Sequence, residues 1–364
     1  MCGNRIIGYD LARALSLLGM VLINFWVMME DTISIPQWLV STFDLIQGRA
    51  AATFVVLAGA GISLMSRDAL LDNDAAAITK NRYKILKRGL FLFMLGMLNG
   101  SIWRADILHF YGIYFLIGIC LLTVPTRRLL QLSIIPVAVS SLFILAIDFD
   151  RGLAFKTETY SAFWKSAAMV WDIFFDGLYP VFPWAAFLIL GMWLGRQRLA
   201  DPVLRKKVLI TGIGVVAFAE CISRAVFLPS APGSSLFDPD VLLMWFAIEP
   251  WDPMPLFMLS AGGSALIVVS SSISFAQKWG NRRWILPFLS VGQLSLTLYI
   301  AHIVVGSIVL KGMKGLDLEP HLFPIWGTIS FYSGALLFSN VWKRHFVRGP
   351  LEGLMRRVSK GRNG

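Results

Sequence analysis

Charge is what this chain has least of. Only 15% of its 364 residues are Asp, Glu, Lys or Arg, where a soluble domain carries about a quarter. A chain this poor in charge cannot dress a globular surface in water, so an ordinary soluble enzyme is excluded. Acidic residues number 22 against 33 basic ones, a net charge of +11. Histidine is rare, with four residues, so each is worth placing. The three cysteines, Cys2, Cys120 and Cys221, form no C-x-x-C pair, and two lie inside apolar runs. Neither disulfides nor zinc are expected, and no metal site of any other kind is apparent. No Walker-type glycine loop is present, so nucleotide hydrolysis is not expected. A cleavable signal peptide is not expected either. Asp10 and Arg13 interrupt the first apolar run, and no small-residue cleavage site closes it. No internal repeat stands out, which weakens a secondary-transporter reading without excluding it.

What is abundant is apolar sequence, 56% of residues, with a mean hydropathy of +0.67. The pattern predicts an all-α polytopic integral membrane protein with about ten spans, near 8–29, 48–66, 84–101, 105–124, 129–148, 179–196, 206–228, 254–276, 285–310 and 322–341. The connections test this count. Arg67, Lys80, Arg82, Lys84, Lys87 and Arg88 precede or open the third span; Arg127 and Arg128 follow the fourth. Arg196, Arg198, Arg205, Lys206 and Lys207 follow the sixth, and Lys278, Arg282 and Arg283 the eighth. Alternate loops are acidic or mixed: one has Glu30, Asp31 and Asp44, another Asp238, Asp240, Glu249 and Asp252. Lysine and arginine therefore alternate from side to side, which places both termini in the cytoplasm. Residues 1–345 read as one transmembrane domain and 346–364 as a basic cytoplasmic tail. The excess positive charge suits topology and anionic headgroups, with the lipid bilayer as partner, and not nucleic acid. The aromatic loop 149–178 reads as including a helix in the outer interface, and the proline-rich loop 229–253 as a cover over the outer face. Gly96-x-x-x-Gly100 and Gly191-x-x-x-Gly195 are small-residue packing patterns.

Ionisable and amide groups inside spans are costly and are functional candidates. Asp106 and His109 open the fourth span, three apart on one face. A carboxylate at a helix start is favoured by the dipole alone. That accounts for Asp106 but not for His109, whose charged form the same dipole disfavours. A neutral imidazole oriented by a carboxylate is a general base poised near neutral pH. Asn24 lies roughly 21 Å beyond Asp10 along the first span; it reads equally as interhelical glue or as an oxyanion donor. Arg49 opens the second span beside Asp44, as an interfacial pair, a snorkelling head or a site residue. His302, about 27 Å along the ninth span, shares a face with Ser295 and Tyr299. Asp10 and Arg13 read as a structural pair or as contacts for an anionic cytoplasmic ligand. Asn24, Asp44, Arg49, Asp106, His109 and His302 share one depth, so the economical expectation is a polar cavity near the outer leaflet.

Several stretches carry a family resemblance. Arg5-Ile6-Ile7-Gly8-Tyr9-Asp10-Leu11-Ala12-Arg13-Ala14, followed by Gly19 to Asn24, resembles the "R-I-x-x-x-D-x-x-R-G … N" opening of the transmembrane acyltransferase superfamily. That superfamily includes heparan-α-glucosaminide N-acetyltransferases and YeiB-like bacterial proteins. Gly48 to Gly59 is similar to its second-helix "F-x-F-L-x-G", and Asp106-Ile107-Leu108-His109-Phe110-Tyr111-Gly112 to the "D-I-L-x-x-Y-G" of the YeiB-like branch. Phe346-Val347-Arg348-Gly349-Pro350-Leu351-Glu352 is similar to that branch's "F-x-x-G-P-L-E". Ala14 departs from the usual glycine. The segment Val27 to Gln47 lacks the histidine that the lysosomal enzymes carry there, so that catalytic assignment does not transfer. The resemblance implies acetyl-CoA or another acyl-CoA as co-substrate and a glycan or lipid-linked acceptor near the outer face. It also implies the cytoplasmic membrane of a bacterium, and a homodimer is compatible with it. On this reading His109 is the base and Asp106 its orienter. Asn24 and Arg49 stabilise the oxyanion, His302 is a reserve base, and Asp10 and Arg13 contact the donor phosphates. A small-solute transporter or channel, or a non-catalytic subunit of an envelope complex, stays open beside it.

Overall fold

The computed structural model describes residues 7–29, 37–146, 170–227, 245–250, 253–315 and 322–360. Its regular structure among these residues is helical throughout. The α-helices are α1 (Ile7–Val27), α2 (Gln37–Asp44), α3 (Arg49–Leu71), α4 (Ala75–Gly100), α5 (Leu108–Cys120), α6 (Thr126–Leu132), α7 (Ile134–Ala146), α8 (Val181–Gly195), α9 (Pro202–Phe227), α10 (Pro255–Trp279), α11 (Leu286–Gln293), α12 (Ser295–Gly315), α13 (Phe323–His345) and α14 (Pro350–Lys360). Five stretches are long and apolar enough to cross a bilayer: Ile7–Val27, Trp38–Leu71, Pro202–Val226, Pro255–Trp279 and Ser295–Met313. Leu108–Cys120 and Val181–Gly195 are shorter apolar helices.

The helix α1 is the hub. It touches α3, α10, α11, α12 and α13, and Leu17 and Val21 on it are wholly buried. Leu15 on the opposite side stays exposed, so one face of α1 is left outward. Around it α3 packs on α8, α9 on α10 and α4 on α5. Small residues set these distances. A Cβ on Gly59 would lie 2.1 Å from the Leu188 carbonyl, and one on Gly191 would lie 2.0 Å from that of Val56. Gly195 meets Ala60 in the same seam, so the expected 191/195 pattern is a packing surface. In the 96/100 pattern only Gly96 is used; Gly100 faces open space, and Gly89 shares the α4–α5 seam instead.

Several boundaries differ from the sequence expectation, each for a local reason. The stretch 66–88 is not a loop. The α3 helix runs on to Leu71 and α4 starts at Ala75, joined through Asn73 at φ 51°. Asp74 caps α4 by accepting from the amides of Ala76 at 2.9 Å and Ala77 at 3.0 Å. The fifth span is two helices, α6 and α7. Pro136 cannot donate to the Leu132 carbonyl and clashes with it, so the chain breaks one turn earlier. The ninth span is likewise two helices, parting at Leu294 (φ −106°, ψ 19°). Most of the aromatic 149–178 and proline-rich 229–253 stretches lies outside the described residues.

The break at Leu294 exposes helix-start amides, and the C-terminal motif covers them. Glu352 Oε1 accepts from the amides of Leu296 at 2.9 Å and Thr297 at 3.1 Å, while Thr297 Oγ1 donates to Oε2 at 2.6 Å. This is a capping carboxylate supplied from another helix. The rest of the motif serves it. Phe346 stacks on Trp342, Pro350 opens α14, and Leu351 packs on the core. Gly349 lies so close that a Cβ there would stand 2.0 Å from Glu352 Oε2. The tail is thus a helix docked against α4 and α12.

Candidate functional site

Asp106 lies between the end of α4 and the start of α5 and is completely buried. Its Oδ1 accepts from Asn99 Nδ2 at 2.8 Å and the Tyr299 hydroxyl at 3.2 Å. Its Oδ2 accepts from the Leu108 amide at 2.9 Å, which caps α5. The Ile107 amide in turn donates to the Tyr299 hydroxyl at 3.4 Å. Three donors from three elements hold one carboxylate, which satisfies the rule that a buried charge be bonded. Both sequence readings of Asp106 are therefore realised together, as cap and as neighbour of an imidazole.

His109 Nδ1 stands 3.6 Å from Asp106 Oδ2. That is longer than a hydrogen bond, in a range that tightens when a catalytic site is occupied. Its Nε2 is buried and has no hydrogen-bond partner. The ring lies 4.0 Å from that of Phe110, centroid to centroid. A second carboxylate, Asp172, belongs to the segment that follows α7. The segment after α7 forms a π-helical turn, Asp172–Asp176. It folds over the start of α5: Gly177 abuts the tip of the Phe110 ring, and the Tyr114 hydroxyl donates to the Tyr179 carbonyl at 2.7 Å. Burial pushes the Asp172 carboxyl above its ordinary range, and positive charge on His109 would draw it back. The seat of His109 beside Asp106 is fixed by Gly96. A Cβ there would meet the His109 backbone nitrogen at 2.1 Å.

Asn24 and His302 meet one step further along. The Asn24 amide lies 2.9 Å from His302 Nε2, and His302 is wholly buried, with its ring 5.1 Å from that of Tyr299. His302 Nδ1 faces the carbonyls of Leu298 and Tyr299 without a well-formed bond. A neutral imidazole protonated at Nδ1 fits, its Nε2 lone pair taken by the amide. Tyr299 thus links the two histidine pairs across α12. His302 stands eight residues inside α12, so its depth follows from the break and not from a continuous ninth span.

Arg49 is held elsewhere. Gly48, at φ 70°, lets the chain turn into α3. The Arg49 Nη2 then donates to Glu220 Oε1 at 2.6 Å and to Ser260 Oγ at 3.0 Å. Its Nη1 donates to the carbonyls of Leu45 at 2.7 Å and Asp44 at 3.2 Å. The expected Asp44 carboxylate pair is replaced by Glu220, because Asp44 is exposed and the guanidinium turns inward. Asp10 and Arg13 pair at 2.8 Å, and Gln293 donates to Asp10 at 3.2 Å. Gly292 abuts the Asp10 carbonyl, so this end of α1 seats α11. The residues expected to share one cavity thus fall into an Asp106–His109–Tyr299–His302–Asn24 chain and a separate Arg49–Glu220–Ser260 group.

Sequence reasoning missed Asn99, Asp172 and Glu220, and it gave Glu352 only as a motif residue without a role. The first and third carried a usable signal, an amide and a lone carboxylate inside apolar spans. Among the described residues no group of three or more His, Cys, Asp or Glu is placed to hold a metal ion.

The family model described as heparan-alpha-glucosaminide N-acetyltransferase, catalytic, matches residues 5–228. A second model, a protein of unknown function (DUF418), matches residues 241–362. The "Uncharacterized protein YeiB" of Escherichia coli (strain K12) is 24% identical over 399 residues, spanning 98% of this chain and 96% of its own. Asn24, Asp106 and His109 fall within the first matched region and Tyr299, His302 and Glu352 within the second, so the site joins the two. With its apolar helices and a catalytic-family match over more than half of its length, this chain is an integral membrane protein of the heparan-alpha-glucosaminide N-acetyltransferase family.

Proposed function

We propose that the chain is a membrane acyltransferase that moves an acetyl or other acyl group from cytoplasmic acyl-CoA to a hydroxyl or amine of a glycan or lipid-linked envelope acceptor near the outer face of a bacterial cytoplasmic membrane. The observation that carries this reading is His109, buried beside Asp106 with an Nε2 that has no hydrogen-bond partner among the described residues, in a chain of an acetyltransferase family. The alternation of lysine and arginine supports ten spans with both termini cytoplasmic, which brings Asp106 and His109 to the outer half. His109 Nε2 accepts the acceptor proton while Asp106 holds the ring at Nδ1. The acceptor oxygen or nitrogen attacks the thioester carbonyl, and the second N–H of the Asn24 amide, beyond the one directed at His302, is the donor assigned to the oxyanion. The C–S bond then breaks and His109 returns the proton to the leaving thiolate, so no net proton is released. His302, its Nε2 engaged by Asn24, supports that amide. Arg49, paired with Glu220, contributes positive potential from a distance, and Asp10 with Arg13 stands at the cytoplasmic mouth where the donor enters.

The test is acyl transfer from radiolabelled acetyl-CoA to envelope fractions by purified protein in nanodiscs. His109→Ala should lose about 10²- to 10⁴-fold while keeping its thermal unfolding profile. A folded His109→Ala protein with full activity would sink this assignment.

A further inference from the structure

Resting on that reading, we propose that Arg88 and Arg356 form a phosphate-binding subsite at the seam of α4 and α14, which anchors the phosphate end of the acyl donor.

The argument starts from α14. Leu351, Met355 and Ser359 recur every fourth residue and form its inner stripe; the first two pack on the core and Ser359 is buried. Glu352 and Arg356 stand four apart on the adjoining stripe. Glu352 is fixed to the start of α12 by three hydrogen bonds, so α14 cannot rotate and Arg356 is held in place. The α14 helix packs on α4, and across that seam the charges of Arg356 and Arg88 oppose one another. Both side chains are part-buried, and Arg88 Nε is buried with no hydrogen-bond partner. Among the described residues neither has a carboxylate within ion-pair distance, the nearest acid of α14 being spent on α12.

Two guanidinium groups brought together without a counter-charge repel, and part-burial removes much of the water that would screen them. An anion between them reverses the sign. Guanidinium forks match phosphate oxygens in shape, with two parallel N–H donors each. The position also suits the donor. Gly96 on α4 is the residue against the His109 backbone. Arg88 lies eight residues earlier on the same helix, about 12 Å along its axis. An extended phosphopantetheine arm is longer than that, so phosphates at the arginines leave a thioester within reach of His109. An anionic lipid headgroup offers the same phosphate chemistry.

The experiment measures CoA binding to full-length protein in nanodiscs by titration calorimetry. Pantetheine, which lacks the phosphates, is the control probe, and the discs contain phosphatidylcholine with or without phosphatidylglycerol. Arg88→Gln and Arg356→Gln should each weaken CoA about tenfold or more and leave pantetheine unchanged, with Arg356→Lys recovering part of the loss. If both variants lose instead the phosphatidylglycerol dependence of their thermal unfolding, the subsite stands with a lipid headgroup as its ligand. Unchanged CoA affinity together with unchanged lipid dependence overturns the subsite, whatever the transfer assay shows. CoA binding that needs both arginines, in a wild-type protein that transfers no acyl group, would overturn the acyltransferase reading and leave the subsite standing.

Discussion

At Asp106 a single carboxylate gathers an amide side chain, a phenol and a backbone N–H, and still faces an imidazole 3.6 Å away. Such a group is fixed in position by its donors, and its place beside His109 is assembled before any substrate arrives. Asp172 is the contrasting carboxylate, pushed upward by burial. Because its folded form holds the proton more tightly than the unfolded chain, its stabilising contribution is present below the ordinary carboxylate range. That contribution is lost as pH rises through the raised value. Asp172→Asn should flatten the decline in thermal midpoint as pH rises above the ordinary carboxylate range, read from unfolding scans in detergent. An unchanged pH profile would show that Asp172 does not titrate there. Much of this site was legible from residue type alone. Asn24, Asp106, His109 and His302 stood out because polar groups are rare in apolar runs, while the contact between Asn24 and His302 was not foreseen beyond a shared depth. Asp172 was not legible, since a carboxylate in a long aromatic loop carries no depth.

Among the elements, α4 does most to set the site. Its last turn supplies Asn99, and its glycines admit α5. Gly96→Ala would drive a Cβ to 2.1 Å from the His109 nitrogen, a backbone contact that no rotamer can relieve. The two helices must part, which moves His109 relative to Asp106. We expect about 10²-fold lower transfer with about 1–3 kcal/mol of lost stability, measured on the same preparation by activity and thermal unfolding. Wild-type activity in that variant would mean that the α4–α5 spacing does not set the site. Helix positions were largely readable from apolar length, yet the breaks were not. Pro136 gave a local warning for α6 and α7. The break at Leu294 had none, because the group that makes it tolerable, Glu352, sits on another helix.

For the molecule as a whole, the distribution of lysine and arginine implies that the α3–α4 turn faces the cytoplasm and that the α4–α5 connection faces outward. Single cysteines at exposed Asp72 and Ser101, in a background lacking Cys2, Cys120 and Cys221, test this. A membrane-impermeant maleimide added to intact cells should label Ser101→Cys and spare Asp72→Cys. The reverse pattern would put His109 on the cytoplasmic side and remove the need for transfer across the bilayer. The cap on α12 has a further consequence, for how the protein is made. Glu352 follows the amides that it covers by 56 and 55 residues. At roughly 5–20 residues per second, translation delivers it some seconds after α12 has emerged. During that interval the helix carrying Tyr299 and His302 sits in the insertion machinery with its leading amides uncovered. Assembly of the polar network around Asp106 is therefore a late event in biogenesis, completed only when α14 has been synthesised and has docked.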